Sequence, residues 1–172
     1  MRILGLDLAG KITHPTGVCM MNEPTIEFKI VYTDEEIIDI VNNFKPDIIA
    51  VDAPLMKNNI KTRKADLLLR KYGALPPVLK GMTTLVKRAR RLLSVLNDEY
   101  MVIEVFPTAT AKILGLYNRD YRLTIKELGL EISSKHELDA YLCCVTAKKH
   151  TEGETITVGD NEEGVIIIPK NH

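Results

Sequence analysis

The sequence predicts an α/β fold in which a mixed five-stranded sheet is flanked by helices. Apolar runs of strand length, rich in Ile, Leu and Val, recur at residues 3–7, 48–52 and 102–106. The elements read in the order strand, strand, strand, helix, strand, helices, strand, helices. A chain of 172 residues is within the size of one domain, so we expect a single domain over residues 1–172.

The first part of the predicted sheet is a three-stranded meander. Strands at residues 1–8, 17–21 and 26–31 are separated by short turns, and this spacing is typical of antiparallel pairs. Thr33 then begins a helix, and Glu36 three residues later completes a capping box. A helix therefore separates this meander from the fourth strand.

Residues 57–98 form a basic helical segment that is inserted after the fourth strand. Eleven of the 23 Lys and Arg residues lie between Lys57 and Arg91, a stretch whose single acid is Asp66. Two helices are expected here, at 62–72 and 83–96, and the second places its basic residues opposite its apolar face. Such an excess of positive charge favours a surface for polyanions, although an ordinary solvated helix face remains an alternative. The candidate nucleic-acid contacts are Lys57, Arg63, Arg70, Lys87, Arg88 and Arg91.

The rest of the chain adds the fifth strand and further helices. The strand spans residues 101–106, and short helices follow at 109–114 and 120–128. Ser134 and Glu137 form a second capping box, which begins a longer helix, and an apolar hairpin follows near the C-terminus. This order of elements is that of the RNase H-like fold, whose first, fourth and fifth strands lie side by side.

Four acids stand in apolar surroundings. Asp7, Asp52 and Glu104 belong to the first, fourth and fifth strand runs, and Asp139 lies on the helix that Ser134 begins. Ionised carboxylates are seldom buried without compensation. Two divalent ions, Mg²⁺ or Mn²⁺, would compensate them, since both take oxygen ligands. We therefore expect all four acids to be metal ligands and catalytic residues for two-metal-ion hydrolysis, with Asp7 as the bridging ligand.

Each acid also has a structural alternative. Asp7 and Asp52 would accept hydrogen bonds from the adjacent loop or turn. Glu104 would form a buried ion pair with a base of the basic segment, and Asp139 would pair with a base on its own helix. Glu137 is assigned to the capping box rather than to metal binding.

Composition restricts the class of protein. Apolar residues make up 45% of the chain and charged residues 27%, as in ordinary globular proteins. No apolar stretch approaches the roughly 20 residues of a membrane span, and Asp7 interrupts the one candidate signal segment. The three cysteines have no metal-site or disulfide spacing, so buried, reduced thiols are expected. We expect a cytoplasmic protein without a membrane partner.

Several motifs of the sequence resemble a known family. The first motif is residues 5–10 followed by 16–18, and the second is residues 50–55. A central helical motif contains Arg63 and Asp66 with residues 69–73, and Arg88 and Ala89 with Leu92. The last two motifs are residues 102–108 and 137–140. Together they resemble the domain of unknown function 429 family, regarded as predicted RNase H-like nucleases, over about residues 1–168. The resemblance implies a metal-dependent nuclease with Asp7, Asp52, Glu104 and Asp139 at its site.

Three functions follow from these observations. The first is a metal-dependent nuclease that hydrolyses phosphodiester bonds of DNA or RNA. Aromatic residues are only 5% of the chain, which argues against a dedicated single-strand binder and favours a structured or double-stranded substrate. The second is a non-catalytic nucleic-acid-binding or interaction module. The third is a nucleotide binder of the sugar-kinase and actin type, which is disfavoured because such proteins close two domains over the nucleotide.

Overall fold

The structure is a computed structural model that describes residues 1–96 and 98–171. Within these ranges the chain forms seven strands and six α-helices, with one 3-10 turn at Arg70–Tyr72. The strands are β1 Ile3–Asp7, β2 Thr16–Asn22, β3 Thr25–Val31, β4 Ile48–Val51, β5 Met101–Glu104, β6 Thr155–Asp160 and β7 Gly164–Pro169. The helices are α1 Asp34–Phe44, α2 Lys64–Leu68, α3 Met82–Leu96, α4 Pro107–Ile113, α5 Tyr121–Leu128 and α6 Lys135–Thr151.

The main sheet has the order β3-β2-β1-β4-β5. β1 and β2 are antiparallel, as are β2 and β3, whereas β4 runs parallel to both β1 and β5. This is the mixed sheet of the RNase H-like fold, and the predicted fold class is confirmed. The C-terminal hairpin of β6 and β7 forms a separate two-stranded sheet, joined to the end of β5 by one bridge between Val105 and Ile167.

Helices cover both faces of the main sheet, and the alternation of side chains along each strand decides which face a residue joins. Leu6 and Val51 belong to the core cluster that also contains apolar residues of α1 and α3. Ile3 and Ala50 belong to the opposite cluster, against α6. Because both faces are covered, the central strands are apolar throughout. All three cysteines are free and buried, two of them on α6.

Two glycines let α6 lie directly on the sheet. A Cβ atom added at Gly5 of β1 would come within 2.1 Å of the carbonyl oxygen of Ala140. One added at Gly17 of β2 would come within 2.0 Å of the carbonyl oxygen of His136. No side chain fits in either gap. These glycines therefore allow the first turns of α6 to pack in close backbone contact with β1 and β2.

Element boundaries follow the local signals. Both predicted capping boxes are present, with Thr33 and Glu36 starting α1 and Ser134 and Glu137 starting α6. The helix predicted at 62–72 is instead α2 followed by the 3-10 turn, and it ends at Gly73 in the left-handed region. No helix in the described ranges has the length and apolar character needed to cross a membrane.

Candidate functional site

The four predicted acids lie at one end of the main sheet. Asp7 is the last residue of β1, Asp52 follows β4 directly, and Glu104 is the last residue of β5. Asp139 lies in the second turn of α6, the helix held against β1. The backbone N–H of Asp52 donates to the carbonyl oxygen of Leu6 at 2.8 Å, so β1 and β4 stay paired up to the site.

The sheet register divides these acids between the two faces. Leu6, Val51 and Glu104 are aligned across β1, β4 and β5, so their side chains share one face. Asp7 and Asp52 come one residue later along their strands, so they share the other face, where α6 packs. The structure therefore groups Asp7 and Asp52 with Asp139, and it directs Glu104 toward the opposite face.

Asp7 has a partner on α6. Its carboxylate lies 2.7 Å from Nδ1 of His136, whose backbone rests on Gly17. This hydrogen bond, opposed by partial burial, raises the pKa of His136 above its ordinary value. His136 lies in the N-terminal turn of α6, and its side chain is 45% exposed. Its contact with Asp7 depends on tertiary packing and has no local sequence signal.

Asp139 forms an ion pair with Lys135 one turn earlier on α6. Burial raises the pKa of Asp139, while Lys135 and its hydrogen bond lower it in part. The Lys135 side chain itself is 57% exposed, so this partner reaches the site from solvent. The sequence suggested a base on the same helix as one alternative for Asp139, and the spacing of four residues is the signal that points to Lys135.

Asp52 differs from the other three acids. Among the described residues, its carboxylate has neither a hydrogen-bond partner nor an ion pair, and its proposed turn-capping bond is not formed. Burial raises the pKa of Asp52 well above its usual range, and the nearby charges of Asp7 and Asp139 raise it further. An acid in this position gains from a proton or from a bound cation.

Glu104 is held in a buried cluster with Arg63 and Asp66. Nη1 and Nη2 of Arg63 each donate to one Glu104 oxygen at 2.7 Å. Nε and Nη2 of Arg63 donate to the two oxygens of Asp66 at 3.1 and 2.8 Å. The N–H of Leu55 also donates to Glu104 at 2.8 Å. The ion-pair alternative for Glu104 is the arrangement that the structure shows.

A cavity of about 290 Å³ opens at this end of the sheet. Among the described residues its lining includes Asp7, Asp52 and Glu104 but not Asp139, and its walls include Phe106 and Leu85. Pockets of this size, with a few polar groups on otherwise apolar walls, are typical of ligand sites. The cavity therefore leaves Asp7, Asp52 and Glu104 open to a ligand.

The donor set suits a hard divalent cation, but the acids are not arranged around one. In the described part of the chain, no three His, Cys, Asp or Glu side chains are placed to hold a metal ion together. Asp7 is instead bonded to His136, and Asp139 to Lys135. Both partners are partly exposed and can swing away, whereas Arg63, which holds Glu104, is fully buried. A divalent cation thus suits the carboxylates of Asp7, Asp52 and Asp139, and it suits that of Glu104 less well.

Four of the six predicted nucleic-acid contacts are exposed, namely Lys57, Arg70, Lys87 and Arg91. The other two, Arg63 and Arg88, have fully buried side chains that present no charge to solvent. Arg88 lies on the inner side of α3, where it donates to Asp34 at 2.7 Å and to two backbone carbonyl oxygens. A guanidinium can be buried when each of its nitrogens has a polar partner, as here.

No family model matches the sequence, and no curated protein matches it. The resemblance to the domain of unknown function 429 family therefore stays a prediction. Among solved structures, the chain is similar to T. thermophilus RuvC in complex with Holliday junction substrate, at 13% identity and a TM-score of 0.56. The match covers 96% of this chain and 99% of that chain. At this identity the similarity shows the fold, and it agrees with the RNase H-like order of strands in the main sheet.

Proposed function

We propose that the protein is a metal-dependent nuclease that hydrolyses phosphodiester bonds. The observation that carries the proposal is the placement of Asp52. It is an acid without a polar partner among the described residues, its pKa is raised by burial, and it lies close to Asp7 and Asp139. Placing the negative charge of Asp52 close to those of Asp7 and Asp139 opposes folding, and a bound cation would offset this cost.

Asp7, Asp52 and Asp139 would hold Mg²⁺ or Mn²⁺, as a pair of ions if the site follows the two-metal scheme. When bound, such ions activate a water molecule and stabilise the leaving oxygen. The residues of this chain supply the negative pocket and the approach to it. His136 holds a proton at Nδ1 against Asp7 and would release that carboxylate on turning to solvent. Glu104 serves the site chiefly by fixing Arg63.

Exposed Lys and Arg side chains supply the substrate contacts in this proposal. Lys57, Arg70, Lys87 and Arg91 would bind backbone phosphates, which gives affinity without sequence recognition. The RuvC structure holds a Holliday junction substrate, and this supports nucleic acid as the substrate class here. The choice between DNA and RNA is decided by comparing the two as substrates.

One observation favours a second candidate function. Asp7, Glu104 and Asp139 each already have a cationic or hydrogen-bonding partner, as a site without metal would require. A non-catalytic nucleic-acid-binding module would keep these contacts and use only the basic surface. The two functions differ in metal dependence and in the need for Asp52.

The test is cleavage of labelled duplex DNA and duplex RNA with Mg²⁺, with Mn²⁺ and with a chelator. We expect cleavage that the chelator abolishes and that Asp52→Asn and Asp7→Asn reduce about a hundredfold or more, since bound metal contributes several kcal/mol. Asp98→Asn is the matched control, because Asp98 is exposed and outside the site. Binding without cleavage of either substrate under any metal condition would favour the module instead.

A further inference from the structure

Three large apolar side chains are exposed close together in the loop before α3. Leu75, Val78 and Leu79 are 57%, 49% and 44% exposed. The N–H of Leu79 donates to the carbonyl oxygen of Pro76, and the N–H of Thr83 donates to that of Leu79, so a turn leads directly into the helix. Single exposed apolar residues are common, but a group of them is a feature of binding surfaces. We call Leu75, Val78 and Leu79 the rim cluster.

One member of the rim cluster, Leu75, lines the cavity that contains Asp7 and Asp52. Leu75 lines the cavity together with Gly73 and Ala74, and Met82 and Leu85 from the start of α3 line it too. Asp7 and Asp52 line the same cavity. A molecule bound beside these acids would therefore be within reach of Leu75, and Val78 and Leu79 follow it in the same exposed loop.

Positive charge surrounds the rim cluster. Arg70, Lys71, Lys80 and Lys87 are all exposed, and they lie on both sides of it in the chain. Asp66, the one acid between Lys57 and Arg91, is buried against Arg63 and presents no charge to solvent. An apolar protein partner would not require this excess of positive charge. A polyanion that also exposes apolar surface matches both features.

Nucleic acid combines negative charge with broad apolar surface where its bases are unstacked. In a continuous duplex the base faces are covered by neighbouring bases, and phosphates form the outer surface. Aliphatic side chains then find little apolar surface to contact unless they unstack a base step. At a bulge, fork or branch the base faces are accessible, and Leu or Val side chains can pack on them or between base steps.

We propose that the rim cluster binds unstacked bases, so that the preferred substrate is a duplex interrupted by unpaired nucleotides rather than a continuous duplex. The inference rests on the proposed function for its choice of nucleic acid, but it concerns binding and does not require cleavage. The exposed Lys and Arg side chains would hold the flanking phosphates. The rim cluster would then place the interruption at the cavity that contains Asp7 and Asp52.

The test measures binding by fluorescence anisotropy in the presence of a chelator. The probes are a continuous DNA duplex and the same duplex with a central unpaired bulge. The variant carries Leu75→Ser, Val78→Ser and Leu79→Ser. The control carries Met101→Ser, Leu123→Ser and Ile156→Ser, three exposed apolar residues elsewhere on the surface. Thermal unfolding of both variants checks that each is folded.

We expect the wild type and the control to bind the bulged duplex about tenfold more tightly than the continuous one. The rim variant should lose this preference while keeping its affinity for the continuous duplex. An equal affinity of the wild type for both probes would overturn the inference, as would an unchanged preference in the rim variant. A sedimentation experiment in which only the rim substitutions dissociate a dimer would assign the cluster to a second copy of the chain and also overturn it.

Cleavage assays separate this inference from the proposed function. If the wild type binds the bulged duplex preferentially but cleaves nothing, the proposed function fails and the rim inference stands. If it cleaves both duplexes equally and binds them equally, the rim inference alone fails.

Discussion

Arg63 binds Glu104 through both of its terminal nitrogens, each at 2.7 Å, and both side chains are buried. The contact joins the end of β5 to the start of α2, and Asp66 holds the other side of the same guanidinium. This buried cluster therefore fixes the basic segment to the end of the sheet that carries the acids.

Removing Arg63 should destabilise the protein more than removing any exposed base. Arg63→Ala leaves two buried carboxylates without their cation, so we expect a loss of about 3–5 kcal/mol in the free energy of unfolding. Urea denaturation measures it. Arg91→Ala, at an exposed position of α3, is the control and should change stability by less than about 0.5 kcal/mol. Equal effects of the two substitutions would show that the cluster does not hold the fold together.

Asp52→Asn should stabilise the metal-free protein at neutral and alkaline pH. Folding raises the pKa of Asp52 above its unfolded value of about 3.9, so the folded state binds its proton more tightly. The free energy of unfolding therefore falls as pH rises from about 4 through the raised pKa. Asn cannot ionise, so the variant should lose less stability over this range, by on the order of 1 kcal/mol.

Thermal unfolding of both proteins from pH 5 to pH 9, in the presence of a chelator, measures this difference. His136 contributes a slope of the same sign, because its raised pKa gives stability that is lost as pH rises, but that contribution is present in both proteins. Adding Mn²⁺ should stabilise the wild type and leave Asp52→Asn nearly unchanged. Parallel pH curves would contradict the assignment of an unfavourable buried charge to Asp52.

Gly5→Ala should disrupt the packing of α6 on the sheet. The added Cβ would lie 2.1 Å from the carbonyl oxygen of Ala140 and 2.8 Å from Sγ of Cys144, so the helix would have to move. We expect a loss of about 3 kcal/mol or more, together with weaker Mn²⁺ binding, because Asp139 moves with the helix. Gly10→Ala, whose nearest contact would be 3.3 Å, is the milder control. Normal stability of Gly5→Ala would mean that α6 does not rest directly on β1.

Charge reversal on α3 should weaken nucleic-acid binding without affecting the fold. Lys87 and Arg91 are exposed and lie four residues apart on one face of the helix. Lys87→Glu with Arg91→Glu should lower affinity for every sequence alike, and should reduce the slope of log affinity against log salt by about 1 for each phosphate that is no longer bound. Fluorescence anisotropy over a salt series measures both. The same change in net charge at Lys29 and Lys126, which are also exposed, should have a much smaller effect.

The sheet and the grouping of acids at one end of it could be predicted from the sequence, because both depend on local signals. The order of strands and helices, the two capping boxes and the positions of Asp7 and Asp52 at strand ends are all readable along the chain. The face on which Glu104 lies was not readable. Glu104 is paired with Val51, the residue before Asp52, so the side chains of Glu104 and Asp52 are on opposite faces. Only the pairing of β4 with β5 decides this, and a shift of one residue would reverse it.

The basic segment shows the same limit. Its excess of positive charge is plain from the sequence, but charge alone does not tell which bases are exposed. Arg88 falls among exposed bases in the sequence, yet it is buried because Asp34 and two carbonyl oxygens from distant residues surround it. Arg63 is buried by Glu104, 41 residues away. Long-range partners of this kind leave no signal in a single sequence.

A crystal of the protein soaked in Mn²⁺, with anomalous scattering used to locate the metal, tests the metal site most directly. We predict manganese bound to carboxylate oxygens of Asp7, Asp52 and Asp139, with Lys135 and His136 turned away toward solvent. Absence of manganese from this site at saturating Mn²⁺, with Asp7 still bonded to His136 and Asp139 to Lys135, would contradict the claim.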